Sequence, residues 1–527
     1  MSHQKVLILD FGSQYTQLIT RRVRELEIFS VIEPGDWSLE KIKVMAPKAV
    51  ILSGGPFSVF EAEAPQLAAG FWDYQKESKI PVLGVCYGMQ LMAHHLGGKV
   101  ERSQKREYGR KEIHLESSSL KQAIGDEHLQ VWMSHGDEVK ALPPLFECLA
   151  RSVDGTPAVI SELDQLRLGF QFHPEVFHTE NGTRWLQYFL KTIAGLDSDW
   201  KMGSVKQELI ESIRKSLPEK SHVLCALSGG VDSTVAATLM HEAIGDRLHC
   251  CFVDHGLLRH KEQSRVMELF KQTLHLNVTA KDESNRFLSA LKGVTDPEQK
   301  RKTAGKLFID TFEAFATELE DKISEPIDYL LQGTLYPDVI ESSPPPSAGK
   351  AKHSVVIKSH HNVGGLPEKM KFKLIEPLKD LFKDEVRRLG VECGVPESFI
   401  KRHPFPGPGL ALRVMGEVTP ERLEILRQAD EIFISSLHEF GIYDKIWQAF
   451  CVYLPVRTVG VQGDGRTYDH VIALRAVTSV DGMTADWYPF DFKHLSEISN
   501  RISNQVEGIN RVVYDVSSKP PATIEWE

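Results

Sequence analysis

The sequence has no long apolar run. Its start, Met1-Ser2-His3-Gln4-Lys5, offers only Val6 to Leu9 before Asp10, too short for a signal peptide, and no later run approaches a membrane span. A cytoplasmic protein without membrane contact is expected. Cysteine is sparse and scattered: seven residues, an odd number, with no Cys-x-x-Cys pair, argue against a disulfide framework and a structural zinc site. Excess positive charge is missing too. A net charge of −10 weighs against broad phosphate neutralisation, so no nucleic-acid partner is expected, although a small basic site for one phosphate is compatible with it. Low complexity is confined to Ser342-Ser343-Pro344-Pro345-Pro346-Ser347-Ala348-Gly349, whose successive prolines fit neither a helix nor a central strand and predict an exposed loop or lid.

What is there is the make-up of a globular protein, 42% hydrophobic and 25% charged. At 527 residues the chain exceeds one ordinary core, and about 150 residues per domain predicts three or four domains. Up to Leu196, strand-like runs (Val6–Leu9, Ala49–Leu52, Pro81–Val85, Arg167–Phe172) alternate with helical stretches such as Gln17–Leu26 and Met89–Leu96. The composition turns polar around Gly195–Trp200. A helix over Val205–Ser216 then leads into a strand at Val223–Leu227, a helix Thr234–His241 and a strand Leu248–Val253, spaced as a parallel βαβ unit. After His403-Pro404-Phe405-Pro406-Gly407-Pro408-Gly409 come a helix near Pro420–Phe440, strands near Phe450–Pro455 and Val471–Val477, a helix near His494–Val506 and a strand at Val512–Val516. The fold class expected is α/β: two doubly wound, mostly parallel sheet domains, residues 1–199 and 200–402, and a small C-terminal α+β domain, 403–527.

Gly84-Val85-Cys86-Tyr87-Gly88 sits between a strand and a helix, with glycines two residues either side of a nucleophilic side chain. That spacing predicts a nucleophile elbow that turns Cys86 outward at a helix N-terminus, where a thiolate is stabilised. Its base and orienter are sought in Gly169-Phe170-Gln171-Phe172-His173-Pro174-Glu175: Pro174 biases His173 to extended backbone, so His173 and Glu175 point to one side. Histidine moves the proton and the carboxylate sets its tautomer. Leu52-Ser53-Gly54-Gly55-Pro56 supplies a glycine-rich turn whose N–H groups suit an oxyanion, though spacing alone fits an ordinary strand-to-helix turn equally well. With Asp10-Phe11-Gly12-Ser13-Gln14-Tyr15, Gln90 and Ser134-His135-Gly136-Asp137, these motifs resemble the triad glutamine amidotransferases of class I over about the first 196 residues. The resemblance implies that Cys86 is the nucleophile, His173 its base and Glu175 the base's partner. It also implies that Gly55 and Tyr87 give oxyanion N–H groups and that Gln90, Ser134, His135 and Asp137 hold glutamine.

A second loop, Ser228-Gly229-Gly230-Val231-Asp232-Ser233-Thr234, also joins a strand to a helix and aims backbone N–H groups at an anion. It is not a Walker A loop, because no Gly-Lys-Ser/Thr follows. It resembles the loop of the ATP pyrophosphatases, which adenylate a substrate and release pyrophosphate. Asp232 is then a candidate Mg2+ contact, since that ion takes one carboxylate plus phosphate oxygens; a helix-start carboxylate favoured by the dipole is the plainer account. Val253, in Phe252-Val253-Asp254-His255-Gly256, and Gly333, in Gln332-Gly333-Thr334, complete the ATP candidates. The pair His360-His361 lacks a matching ligand set and is read as part of a nucleotide-closing segment.

No feature of a pyrophosphate loop names the acceptor, and relatives acting on deamido-NAD or tRNA share it. The order amidotransferase, pyrophosphatase loop, His403–Leu410 motif, Arg457-Thr458-Val459-Gly460-Val461-Gln462-Gly463-Asp464 and the tail Lys519–Glu527 resembles the GMP synthase family over essentially the whole chain. The resemblance implies glutamine, xanthosine monophosphate (XMP) and ATP as substrates, Mg2+ as cofactor, a homodimer formed through the last domain, and Arg301, Gln462, Lys519, Ile524 and Glu525 at the XMP site. Arg301 and Lys519 suit a phosphate, although solvated surface charge is the commoner fate of such residues. Against the family pattern, His255 stands in place of an Asn, Phe177 in place of a Thr, and the stretch around Pro344–Pro346 is longer. The last change leaves open the closure geometry and the roles of Lys350, Lys352 and Lys358.

Overall fold

The computed structural model describes residues 3–162, 164, 166–342, 372–462, 465–479, 482 and 484–527. The proline-rich stretch, Lys350, Lys352, Lys358 and His360-His361 therefore lie outside the described residues, as does the side chain of Gln462. Packing divides the described chain into two compact units, one ending at Val205 and the other beginning at Lys206.

The first unit is built on nine strands: β1 Lys5–Asp10, β2 Phe29–Pro34, β3 Ala49–Leu52, β4 Val82–Val85, β5 Lys99–Leu115, β6 His128–Ala141, β7 Phe146–Ser152, β8 Pro157–Glu162 and β9 Arg167–Phe170. They lie in the order β2-β1-β3-β4-β9-β8-β7-β5-β6. The half from β2 to β9 is parallel, and its inner strands β1 and β3 carry continuous apolar runs because both faces are covered: Val6 to Leu9 and Ala49 to Leu52 are all buried. The half from β9 to β6 is antiparallel and is the part that the alternation of runs and helices did not reveal. Its long strands β5 and β6 pair with a break in register between Arg102 and Glu107, a bulge that re-aims the side chains beyond it. One core cluster, containing Val6, Ile8, Ile51, Val85, Phe170, Phe172 and Trp185, spans both halves of the sheet.

The second unit carries two sheets. β10 His222–Leu227, β11 Leu248–Asp254, β12 Val278–Asp282, β13 Ile327–Leu331 and β14 Lys373–Ile375 form an all-parallel sheet in the order β12-β11-β10-β13-β14. The helix Val231–Ile244 packs on this sheet and is buried on nearly every side. Its alanines at 236, 237 and 243 admit close neighbours, and an all-round apolar helix is stable only inside. The 27-residue helix Pro297–Ile323 starts where Asp296 accepts from the Gln299 N–H at 2.8 Å and Pro297 supplies a pre-set φ. The other sheet is antiparallel at β15 Gln448–Gln462, β16 Gly465–Thr478 and β17 Asp486–Trp487, while β18 Ile509–Tyr514 runs parallel to β16. Helices Pro420–Glu439 and Phe492–Gln505 cover it, giving the α+β element expected at the C-terminus.

Candidate active sites

β4 ends at Val85, and the chain turns at once into the helix Tyr87–His95 with Cys86 at φ 51°, ψ −107°. A non-glycine residue held in that region is strained, and only a tightly determined surrounding maintains it. The surrounding is backbone: a Cβ on Gly84 would lie 2.6 Å from the Gly88 carbonyl, and one on Gly88 would overlap the Leu52 carbonyl. The Cys86 N–H donates to the Phe170 carbonyl at 2.7 Å, joining the elbow to β9. β9 ends at Phe170, and a bend and turn over residues 171–175, rather than the continuing extended segment expected, bring His173 and Glu175 together.

Glu175 is fully buried, and its Oε1 lies 2.7 Å from His173 Nδ1. Burial is the largest influence on the His173 ring and works against its protonation. The Glu175 carboxylate and the hydrogen-bonded Cys86 side chain outweigh it and hold the pKa well above the usual histidine value. The residue is positioned from several sides: its backbone N–H donates to the Trp132 carbonyl at 3.0 Å, its backbone carbonyl accepts from Thr179 Oγ1 at 2.6 Å, and Tyr15 packs edge-on against the ring at 5.2 Å. A Cβ on Gly54 would sit 3.0 Å from His173 Cε1 and one on Gly55 2.7 Å from the Phe11 carbonyl, so the Ser53-Gly54-Gly55 turn approaches the ring as only glycine permits.

The remaining glutamine candidates converge on the same place. The Cys86 thiol donates to the Ser134 carbonyl at 3.7 Å. Gln90 Nε2 donates to the Asp137 carbonyl at 2.9 Å and stands 3.4 Å from Gln171 Oε1. Tyr87 turns its hydroxyl away, donating to the Pro65 carbonyl at 2.7 Å, so what it presents at the elbow is backbone. Sequence reading missed Gln171 and Glu107, the latter a buried partner of His135 across the β5–β6 ladder.

In the second unit, β10 is the switch point of the parallel sheet: β11 and β12 build on one side of it, β13 and β14 on the other. Ligands bind at the carboxyl ends flanking such a point. The Ser228–Thr234 loop leaves β10 there, between Val253 on β11 and Gly333 just after β13. Gly229 takes φ 76°, and the turn is tied by Gly230 N–H to Ser228 Oγ at 3.3 Å and Thr234 Oγ1 to the Gly230 carbonyl at 2.7 Å. Val231 and the helix after it are anchored by burial. Gly333 approaches closely: a Cβ there would lie 3.1 Å from the Asp232 carbonyl carbon. Asp232 Oδ2 accepts from Lys383 Nζ at 3.2 Å, a cation that the sequence reading did not find, and the buried Oδ1 has no hydrogen-bond partner among the described residues.

The XMP candidates divide. Lys519, Ile524 and Glu525 lie together on the tail against β15 and β16: Lys519 Nζ donates to the Gly482 carbonyl at 2.7 Å, and Ile524 is buried with Phe450 and Val452. Glu525 accepts two bonds from buried Arg413, at 2.9 and 3.2 Å, and one from Gln448 at 2.6 Å. Arg301 belongs to the helix Pro297–Ile323, half-buried and 3.7 Å from Glu298. Its neighbour Lys300 links that helix to the tail. The wholly buried ammonium donates to the Ala411 and Val414 carbonyls at 3.1 and 2.8 Å and to Glu527 Oε2. Lys300 and Arg413 carry no sequence signal; a buried cation is recognisable only from what surrounds it.

The first unit, with its cysteine elbow and buried His-Glu partner on the parallel half of a mixed sheet, is a class I glutamine amidotransferase domain. The family described as "Glutamine amidotransferase class-I" matches residues 7–193, and "GMP synthase C terminal domain" matches residues 435–526. The chain is 53% identical over 533 residues to "GMP synthase [glutamine-hydrolyzing]" of Bradyrhizobium diazoefficiens, covering 100% of this chain and 94% of that one. It is 55% identical over 529 residues to the protein of the same description in Phenylobacterium zucineum, covering 100% and 99%. The chain belongs to the glutamine-hydrolysing GMP synthase family.

Proposed function

We propose that the chain makes GMP from XMP in two chemically separate steps, with residues 1–199 as the amidotransferase, 200–402 as the adenylating domain and 403–527 as the dimerisation and XMP-binding domain. In the first step Cys86 Sγ attacks the side-chain amide carbon of glutamine, His173 takes the thiol proton and passes it to the departing nitrogen, and ammonia leaves a glutamyl thioester. Gly55 and Tyr87 offer backbone N–H groups to the oxyanion. Water then releases glutamate. Glu175 holds the imidazole in orientation and stabilises its protonated form. The observation that carries this reading is the buried 2.7 Å His173–Glu175 contact beside Cys86.

In the second step the XMP oxygen attacks the α-phosphorus of ATP, pyrophosphate leaves, and ammonia displaces AMP to give GMP. Adenylation supplies the leaving group that a purine oxygen lacks, and exclusion of water protects the intermediate from hydrolysis. The Ser228–Thr234 loop cradles the phosphates, and Val253 and Gly333 border them. Arg301, Gln462, Lys519, Ile524 and Glu525 are the XMP candidates. Among the described residues no group of three or more His, Cys, Asp or Glu side chains forms a metal cage. Mg2+ held largely by phosphate oxygens needs only one or two carboxylates, and the unpartnered Oδ1 of Asp232 fits that demand. Bound with ATP, the ion neutralises phosphate charge. Among the described residues no helix is long and apolar enough to cross a membrane. We assign the enzyme to the cytoplasm as a homodimer.

The test is GMP formation from XMP, ATP and Mg2+ by wild type and Cys86→Ala with glutamine or ammonium as donor. The reading expects Cys86→Ala to lose only the glutamine-driven reaction. Absence of GMP from either donor in the wild type sinks the acceptor assignment.

A further inference from the structure

We propose that Glu107 is a positioning residue for glutamine capture, acting through the His135 ring, and that His135 meets the substrate with its backbone. The proposal rests on the reading of the first unit as the glutamine-hydrolysing site. Glu107 is 1% exposed and stands opposite His135 in the β5–β6 ladder, immediately past the register break at Arg102. Its Oε2 lies 3.1 Å from His135 Nε2, and its Oε1 accepts from Ser152 Oγ at 3.0 Å on β7. The other ring nitrogen, Nδ1, is 3.0 Å from the Asp137 carbonyl. Nδ1 is hydrogen-bonded to the backbone, and Nε2, which makes no hydrogen bond with Glu107 Oε2, is buried against that carboxylate, so neither ring nitrogen is open to a ligand.

What the ring does instead is brace the stretch of β6 from Ser134 to Asp137. At one end the Ser134 carbonyl accepts from the Cys86 thiol; at the other the Asp137 carbonyl receives both Gln90 Nε2 and the His135 ring. This stretch of β6 therefore spans the distance from the nucleophile to Gln90, and Glu107 is the outer anchor of the side chain that braces it. A carboxylate this deeply buried is costly unless paired, and its pairing here is spent on one side chain of the site wall. Small displacements of a substrate-positioning element weaken capture of a correctly oriented substrate without touching the nucleophile or its base.

The full-length chain tests this with Glu107→Gln, measuring KM and kcat for glutamine in coupled GMP synthesis, the ammonium-driven rate, and the rate of iodoacetamide alkylation at Cys86 followed by peptide mass. A positioning role raises KM for glutamine about tenfold or more, with kcat within about threefold of wild type and the ammonium-driven and alkylation rates unchanged. An unchanged KM, or a fall in alkylation and kcat together, overturns it in favour of a purely structural pair. Should Glu107→Gln be insoluble, Ser152→Ala, which removes only the donor to Glu107, decides in the same assays: a KM rise of a few-fold supports the proposal and an unchanged KM overturns it. Cys86→Ala runs alongside. If that variant keeps glutamine-driven synthesis, the reading of the site itself fails, whatever Glu107→Gln does.

Discussion

His173 and Glu175 stand two residues apart on a chain bent by Pro174, and the carboxylate that meets the ring at 2.7 Å has no exposure to solvent. Its charge is balanced locally by the imidazole, which is why the ring is held in its protonated form more strongly than an ordinary histidine. Glu175→Gln keeps the shape and removes the charge. Glutamine-driven GMP synthesis is expected to fall roughly 100-fold or more while the ammonium-driven rate stays at the wild-type level. Parallel assays with the two donors check it, and equal losses in both would place the carboxylate's role elsewhere.

The same pair has a pH signature. The folded-state pKa of His173 is raised above the ordinary 6.5, so its stabilisation is complete below that value and is lost as pH rises toward the folded value. The difference in thermal midpoint of the first unit between wild type and His173→Gln is therefore expected to be largest near pH 6 and to shrink on the alkaline side. Differential scanning calorimetry across that range reads it directly.

His255 and His403 behave oppositely. Burial first, and then neighbouring cations, push both down to about 4, so each is neutral in the folded protein and binds a proton more readily when unfolded. The second unit should lose stability as pH falls from 6.5 toward 4. His255 accepts from the Leu257 N–H at 3.1 Å through Nδ1 and packs against Phe287 and Phe308. His255→Asn retains an acceptor but cannot titrate, and is expected to flatten part of that acid sensitivity in urea melts at pH 5 and pH 7.

Arg413 is wholly buried, its guanidinium 4.2 Å from the centre of the Phe450 ring and bonded twice to Glu525. Arg413→Met leaves that carboxylate without its charged partner, held by Gln448 alone, and is expected to cost about 3 to 5 kcal/mol and to raise KM for XMP. The double variant Arg413→Met, Glu525→Met should recover much of the stability and none of the XMP affinity. Denaturant melts with XMP kinetics separate the two effects; a double variant with normal XMP affinity would remove Glu525 from the acceptor site.

Asp232 is shared between the first turn of its helix and Lys383. Asp232→Asn is expected to lower GMP synthesis from both nitrogen donors by about 100-fold while the glutaminase reaction without XMP persists. Pyrophosphate release alongside glutamate release measures the split.

The legible parts of this protein are those whose chemistry is local. An elbow such as Gly84–Gly88, or the loop Ser228–Thr234, consists of neighbours in sequence whose glycines and strand-to-helix junction impose one backbone course, and the structure has both where the spacing predicts them. The helix Pro297–Ile323 was within reach by the same logic, since Asp296 and Pro297 form a start signal, but its charged and apolar residues read as no single stripe. The antiparallel half of the first sheet shows no continuous apolar run: β6 alternates buried Leu129, Val131 and Met133 with polar or half-buried neighbours, a period of two that a search for apolar runs passes over, and the bulge between Arg102 and Glu107 interrupts the pattern in β5.

Residue types, their spacing and the local junctions that present Cys86, His173 and the Ser228–Thr234 loop were determined by the sequence alone. Only the tertiary structure decided the pairing of Glu107 with His135, of Arg413 with Glu525, and of Lys300 with Glu527 across 227 positions of chain. The reason is physical: a buried charge is stable only beside a specific partner, and that partner is chosen by which strands and helices pack together, a choice that carries no periodic trace along the chain.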